Sequence, residues 1–186
     1  MWLGLSKQSS TVKLTGTAIL AALVIVFDYT LKYSGLKIPF PWYPELKFDF
    51  TGVPIVLSLF LYGFPASVTT SLVAGIGIVA RSGNVISGSM KVAAELSTVL
   101  GLHIGRQLWK SGSKYFSWGT GLTARILIMT VVNLYVLPTL YHVPMAATIG
   151  LLPLIGLFNG IQGGITIGLG YFLFEAVKSR LPNWAP

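Results

Sequence analysis

The chain has 186 residues, of which 53% are hydrophobic and only 10% charged, and its mean hydropathy is +0.74. A soluble domain carries about 25% charged residues, so this composition cannot cover a water-facing surface and points to an integral membrane protein. The formal net charge of +8 would suggest nucleic acid in a soluble chain. Here the basic residues gather at the ends of apolar runs, as membrane topology requires, and no nucleic-acid partner is expected. The absence of cysteine excludes disulfides, thiol catalysis and thiolate-held metals.

In chain order, the basic residues Lys7 and Lys13 lead into a first apolar run over 14–33, too long and without the cleavage site of a signal peptide. Segment 36–50 follows, with Pro39, Pro41, Trp42, Tyr43 and Pro44. It is too stiff and apolar for a solvated tether. Two readings fit: an interfacial segment with Trp42 and Tyr43 at headgroup level, or a lid over an outward-facing cavity. Residues 52–80 carry no charge and are broken by Gly63-Phe64-Pro65, a turn signal. They form either one kinked crossing or two short ones, 52–63 and 66–80. The remaining spans are 88–106, 120–140 and 147–177.

Charge decides the count. With two crossings, Lys7, Lys13, Arg106, Lys110, Lys114, Lys178 and Arg180 all fall on one side. The positive-inside rule then predicts a single all-α membrane domain over 1–186, a six-helix bundle with both termini cytoplasmic, in a cell membrane. The two short spans are expected to be wrapped in protein or to border a wet cavity.

Polar groups inside apolar helices need a reason. Lys91 and Glu95 lie one turn apart on one helix face, as a self-neutralising pair or as the lining of a polar cavity. Arg125 is expected to snorkel to the interface and Asp28 to reach interfacial water. Asn133, Asn159 and Gln162 are buried amides, the last two at i, i+3; they suit either the edge of a heterocycle or hydrogen bonds between packed helices. Ala18 and Ala22 make a small-residue face on the first span, for internal packing or for docking another membrane subunit. The glycines of the last span (Gly156, Gly160, Gly163, Gly164, Gly168, Gly170) predict close backbone contacts. No Walker loop, HExxH or paired-aspartate motif occurs, so no enzyme activity, catalytic residue or metal site is expected.

Four segments in order resemble the substrate-binding S components of energy-coupling factor (ECF) vitamin transporters, closest to the riboflavin-specific branch. They are Leu46-Lys47-Phe48-Asp49-Phe50-Thr51-Gly52-Val53-Pro54 with the following Gly63-Phe64-Pro65; Ser87-Gly88 to Gly101 with Ala94-Glu95-Leu96; Met129 to Tyr141 with Asn133 and Pro138; and Pro153 to Gly163 with Phe158-Asn159. Ala94, Thr98 and Gln162 stand where that branch has Gly, Asn and Lys. The loss of a lysine at Gln162 leaves a related flavin or another aromatic vitamin open as ligand. The resemblance implies that the chain captures riboflavin or a related vitamin from outside, beneath the loop between its first two helices. The ligand would be transported, not kept as a cofactor. It implies docking through Ala18 and Ala22 to a transmembrane coupling (T) subunit that carries two ABC-type ATPases. The implied substrate-binding residues are Trp42, Leu46, Lys47, Phe48, Lys91, Glu95, Asn133, Asn159 and Gln162. A different class, a self-sufficient ion-coupled transporter of a small aromatic metabolite, would need a carboxylate that cycles its proton, with Glu95 the candidate.

Overall fold

A computed structural model describes residues 9–108 and 114–180. Six helices and one hairpin follow in order: α1 Ser10–Tyr33, β1 Ile38–Phe40, β2 Tyr43–Phe48, α2 Gly52–Tyr62, α3 Phe64–Ser82, α4 Val85–Leu108, α5 Lys114–Leu140 and α6 Met145–Arg180. Five of the helices are long and apolar enough to cross a membrane; α2 is not. Its 11 residues rise only about 16 Å, half of a hydrocarbon core of about 30 Å. Every residue of α2 is buried, which suits a helix that is apolar all round and agrees with the expectation that a short span is wrapped in protein.

The helix ends follow local chemistry. The Ser9 hydroxyl accepts from the Val12 N–H at 3.3 Å and caps α1. Gly63, at φ +94°, turns the chain between α2 and α3, and Pro65 opens the next helix where no N–H is missed. Gly83, at φ +68°, ends α3 in the left-handed region. The Asn84 side-chain oxygen accepts from the Ser87 N–H at 2.9 Å and starts α4. Both α5 and α6 run beyond the predicted 120–140 and 147–177. An apolar-run reading stops where polar residues begin, whereas the hydrogen-bonded helix continues through them.

Contacts fix the helix directions. Tyr62, ending α2, packs against Gly16 in the second turn of α1, while Arg81, ending α3, bonds Asp28 near the other end of α1. So α2 and α3 run antiparallel, and Gly63-Phe64-Pro65 reverses the chain rather than kinking it. Phe60 meets Tyr171, Phe174 and Arg106, and the Ser117 hydroxyl donates to the Leu102 carbonyl at 2.8 Å. The start of α1, the α2–α3 turn, the end of α4, the start of α5 and the end of α6 therefore share one end of the bundle. Lys7 and Lys110, two of the charges used to predict topology, lie outside the described residues.

The core joins α1, α2, α4 and α6 through Leu20, Val24, Ile55, Leu59, Val99, Leu102, Ile167 and Phe174. Large apolar side chains such as Leu14, Ile19, Val26, Leu127, Val131 and Phe172 face outward, as a lipid-facing surface requires. Segment 36–50, read from sequence as a stiff loop, is a two-stranded antiparallel hairpin. Ile38 lies opposite Phe48 and Pro39 opposite Lys47, and a register irregularity after Pro39 sets Phe40 opposite Tyr43. In a two-stranded ribbon both strands are edges, so Pro39 and Pro44 cost no inner ladder bond.

Candidate functional site

The hairpin is rooted at both ends by charge. Lys37 precedes β1 and bonds Asp28 of α1 at 2.6 Å, and Arg81 of α3 holds the other oxygen of Asp28 at 2.7 Å. Asp49 follows β2. Its Oδ1 accepts from Lys91 of α4 at 2.9 Å, and its Oδ2 lies 3.9 Å from Lys37. The same Oδ1 accepts from the Thr51 hydroxyl at 2.7 Å and the Thr51 N–H at 3.2 Å, which turns the chain into α2. Burial pushes the Asp49 carboxyl up, but Lys91 above all, with Lys37 and Thr51, outweighs it and brings the pKa down to about 2.

The chain of ion pairs continues inward. Lys91 bonds Glu95 Oε1 at 2.9 Å, and the same oxygen takes Arg125 Nη1 of α5 at 3.3 Å. Arg125 also donates to the Thr98 hydroxyl at 3.0 Å, the Ala94 carbonyl at 3.4 Å and, through Nε, to Asn159 Oδ1 of α6 at 3.3 Å. Gly163 makes this possible, since a Cβ there would stand 2.9 Å from Leu122 and 3.0 Å from Arg125. Arg125 thus bridges α4 to α6. Two expectations fail here. Arg125 does not snorkel, being 2% exposed, and Asp28 is 3% exposed rather than in interfacial water. In both cases a partner on another helix replaces water, which makes burial of the charge tolerable.

Glu95 is fully buried, and its second oxygen has no hydrogen-bond partner among the described residues. That oxygen lies beside Gly52, where an added Cβ would stand 2.7 Å from it. Glycine at the start of α2 lets the carboxylate approach the positive end of that helix dipole.

The predicted site residues divide. Lys91, Glu95, Asn159, Gln162 and Phe48 gather where α4 and α6 meet the hairpin and its root, with Arg125 of α5 joining Glu95 to Asn159. Gln162 grips the hairpin root: Nε2 donates to the Asp49 carbonyl at 2.7 Å and Oε1 accepts from the Asp49 N–H at 3.3 Å, while Nε2 also reaches Thr166 at 3.3 Å. Asn159 and Asn133 donate to carbonyls of their own helices, Ile155 at 2.9 Å and Met129 at 2.7 Å. Asn133 sits two turns further along α5 from Arg125, about 12 Å by helical rise. Leu46 and Phe48 share one face of β2, half-buried, and Lys47 points to the other, exposed.

Phe40 is 1% exposed and its ring meets Trp42, Phe48 and Phe158 at 5.2, 5.8 and 5.6 Å, with Phe48 and Phe158 4.9 Å apart. This aromatic plug holds the hairpin on α6. Trp42, at the tip, is 64% exposed and touches Phe40 edge-on. Ala18 and Ala22 are exposed on the outer face of α1, and the internal packing of that helix uses Thr17, Leu20, Ala21 and Val24 instead. Of the last-span glycines, Gly163 and Gly170 are in close contact, whereas Gly164 and Gly168 face open space.

Sequence reasoning missed Lys37 and Arg81, and passed over Asp49 although it sits inside a recognised segment. Among the described residues no group of three His, Cys, Asp or Glu side chains could hold a metal.

No protein-family model matches the chain, and no curated protein matches it in sequence. Among solved structures, the S component of a bacterial ECF transporter superposes with a TM-score of 0.78 at 22% identity, covering 93% of this chain and 99% of that one. At that identity the likeness shows the fold alone.

Proposed function

We propose that the chain is the substrate-binding subunit of an ECF-type importer. It captures riboflavin, a related flavin or another aromatic vitamin beneath the hairpin and passes it inward with a coupling subunit and two ATPases. The observation that carries the reading is the near full-length likeness to an ECF S component. Two local features support it. The hairpin is a separate, aromatic-plugged cover lying against α6 with its root tied to α4, suited to closing on a flat ligand. Ala18 and Ala22 face away from the bundle, available for close approach by a helix of another subunit. In this reading all six helices cross, α2 within the protein, and the end that holds both described termini is cytoplasmic. That places Lys13, Arg106, Lys114, Lys178 and Arg180 inside.

The competing ion-coupled transporter is less well supported. Its proton-cycling carboxylate would be Glu95, and that side chain is tied to Lys91 and Arg125 at once. Protonating it would leave the buried Arg125 without a carboxylate and Lys91 with Asp49 alone.

The test is ligand binding by the purified chain in detergent. Riboflavin titration is expected to quench tryptophan fluorescence saturably, with a smaller response in Trp42→Leu because the hairpin tip loses its reporter. Absence of binding by riboflavin and by every other aromatic vitamin tried would defeat the proposal.

A further inference from the structure

The ion-paired chain beneath the hairpin does not balance. Arg81, Lys37, Lys91 and Arg125 supply four positive charges; Asp28, Asp49 and Glu95 supply three negative ones. The signs alternate in space, so one positive charge is left over at an end. Lys37, Arg81 and Lys91 each have a carboxylate oxygen within 2.9 Å. Arg125, at the deep end, has none nearer than 3.3 Å, so the least neutralised cation is also the one furthest from water.

Its hydrogen bonds point the same way. Nε is spent on Asn159, and Nη1 on Glu95, Thr98 and the Ala94 carbonyl. Nη2, with two N–H donors, has no hydrogen-bond partner among the described residues and is not one of the fully enclosed unpartnered atoms, so it faces accessible space. A buried cation without full compensation is rare. The guanidinium fork can keep Glu95 on one nitrogen and offer the other to a second acceptor.

We infer that Arg125 reads a negative charge on the ligand. The substrate class is a flat aromatic molecule bearing one carboxylate or comparable acidic group. This rests on the chain being a substrate-binding subunit and narrows that reading from aromatic vitamins in general to acidic ones. The neighbourhood fits both parts of such a molecule. Phe158, which packs tilted against Phe48 and Phe40, precedes Asn159, which holds Arg125, so the aromatic plug and the guanidinium meet α6 at successive residues. The other inner cation, Lys91, already lies between two carboxylates.

The experiment is calorimetry on the purified chain with two matched pairs, riboflavin against carboxymethylflavin and nicotinamide against nicotinate. In at least one pair the acid is expected to bind roughly ten- to hundredfold more tightly, the worth of a buried charged hydrogen bond. Two variants move that preference in opposite directions. Arg125→Lys keeps the charge but loses the second terminal nitrogen, and narrows the gap. Glu95→Gln raises the surplus positive charge by one and widens it, which mere damage to packing would not do. If in neither pair the acid binds more tightly than its neutral partner, or Glu95→Gln narrows the gap, the anion inference is overturned and the importer reading stands wherever any member binds. If no member of either pair binds, the anion inference fails and the importer reading is decided by the wider titration of aromatic vitamins.

Discussion

Replacing Asp49 by asparagine isolates the electrostatic part of the hairpin root. The amide keeps an acceptor for Thr51 and leaves the backbone grip of Gln162 untouched, so the change removes charge alone. The Asp49 pKa falls from 3.8 to about 2 in the folded chain, and at 1.36 kcal/mol per unit the ionised form is worth about 2 kcal/mol to the native state. Because the folded value lies below the unfolded one, this stability is fully present above pH 3.8 and is lost as the pH falls through about 2. Wild type is therefore expected to lose it between those values, and Asp49→Asn to lack it at neutral pH and to show a flatter acid limb. The assay is thermal unfolding in detergent across pH, with hydrogen exchange over 37–51 to show that the loss is local. An acid limb in Asp49→Asn as steep as in wild type would refute the reasoning and move the charge sensitivity elsewhere.

Other substitutions probe the rest of the site. Gly52→Ala puts a Cβ 2.7 Å from Glu95 Oε2 and from Thr166 Cγ2, and overpacking of this kind is expected to cost about 1–3 kcal/mol in thermal or denaturant unfolding. Asn159→Leu removes the acceptor for Arg125 Nε, so ligand affinity is expected to fall roughly tenfold with the fold retained by circular dichroism; unchanged affinity would leave Asn159 a packing residue. Ala18→Leu and Ala22→Leu lie on the exposed face of α1, and are expected to abolish uptake in cells while the isolated protein binds ligand normally. Equal loss of both properties would mean that the alanines serve the bundle itself.

Helices were legible because apolar runs and their breakers are local signals. Gly63-Phe64-Pro65 marked the α2–α3 reversal, and charge bias required that reversal to be a full turn of direction. The hairpin was not legible. Prolines at 39, 41 and 44 argue against strands, and only the edge position of both strands removes that objection. Arg125 was misplaced for a related reason. One turn into an apolar run, a lone arginine reads as snorkelling unless its partner is visible, and Glu95 lies 30 positions away on another helix. Lys91 and Glu95, one turn apart, were paired correctly because that contact is local. Gln162 shows how far type and burial carry. Both pointed to a polar role, but that its amide grips the Asp49 backbone 113 positions away is fixed by tertiary structure alone.

Transport in a defined system separates the two mechanisms most directly. Proteoliposomes would hold this chain either alone or with a coupling subunit and its two ATPases, and labelled riboflavin and carboxymethylflavin would be supplied outside under ion gradients or with ATP within reach of the ATPases. A substrate-binding subunit is expected to bind ligand in both preparations but to accumulate it only with the partners and ATP. Accumulation by the chain alone, driven by a proton or sodium gradient, would contradict that assignment and make Glu95 the centre of a different machine.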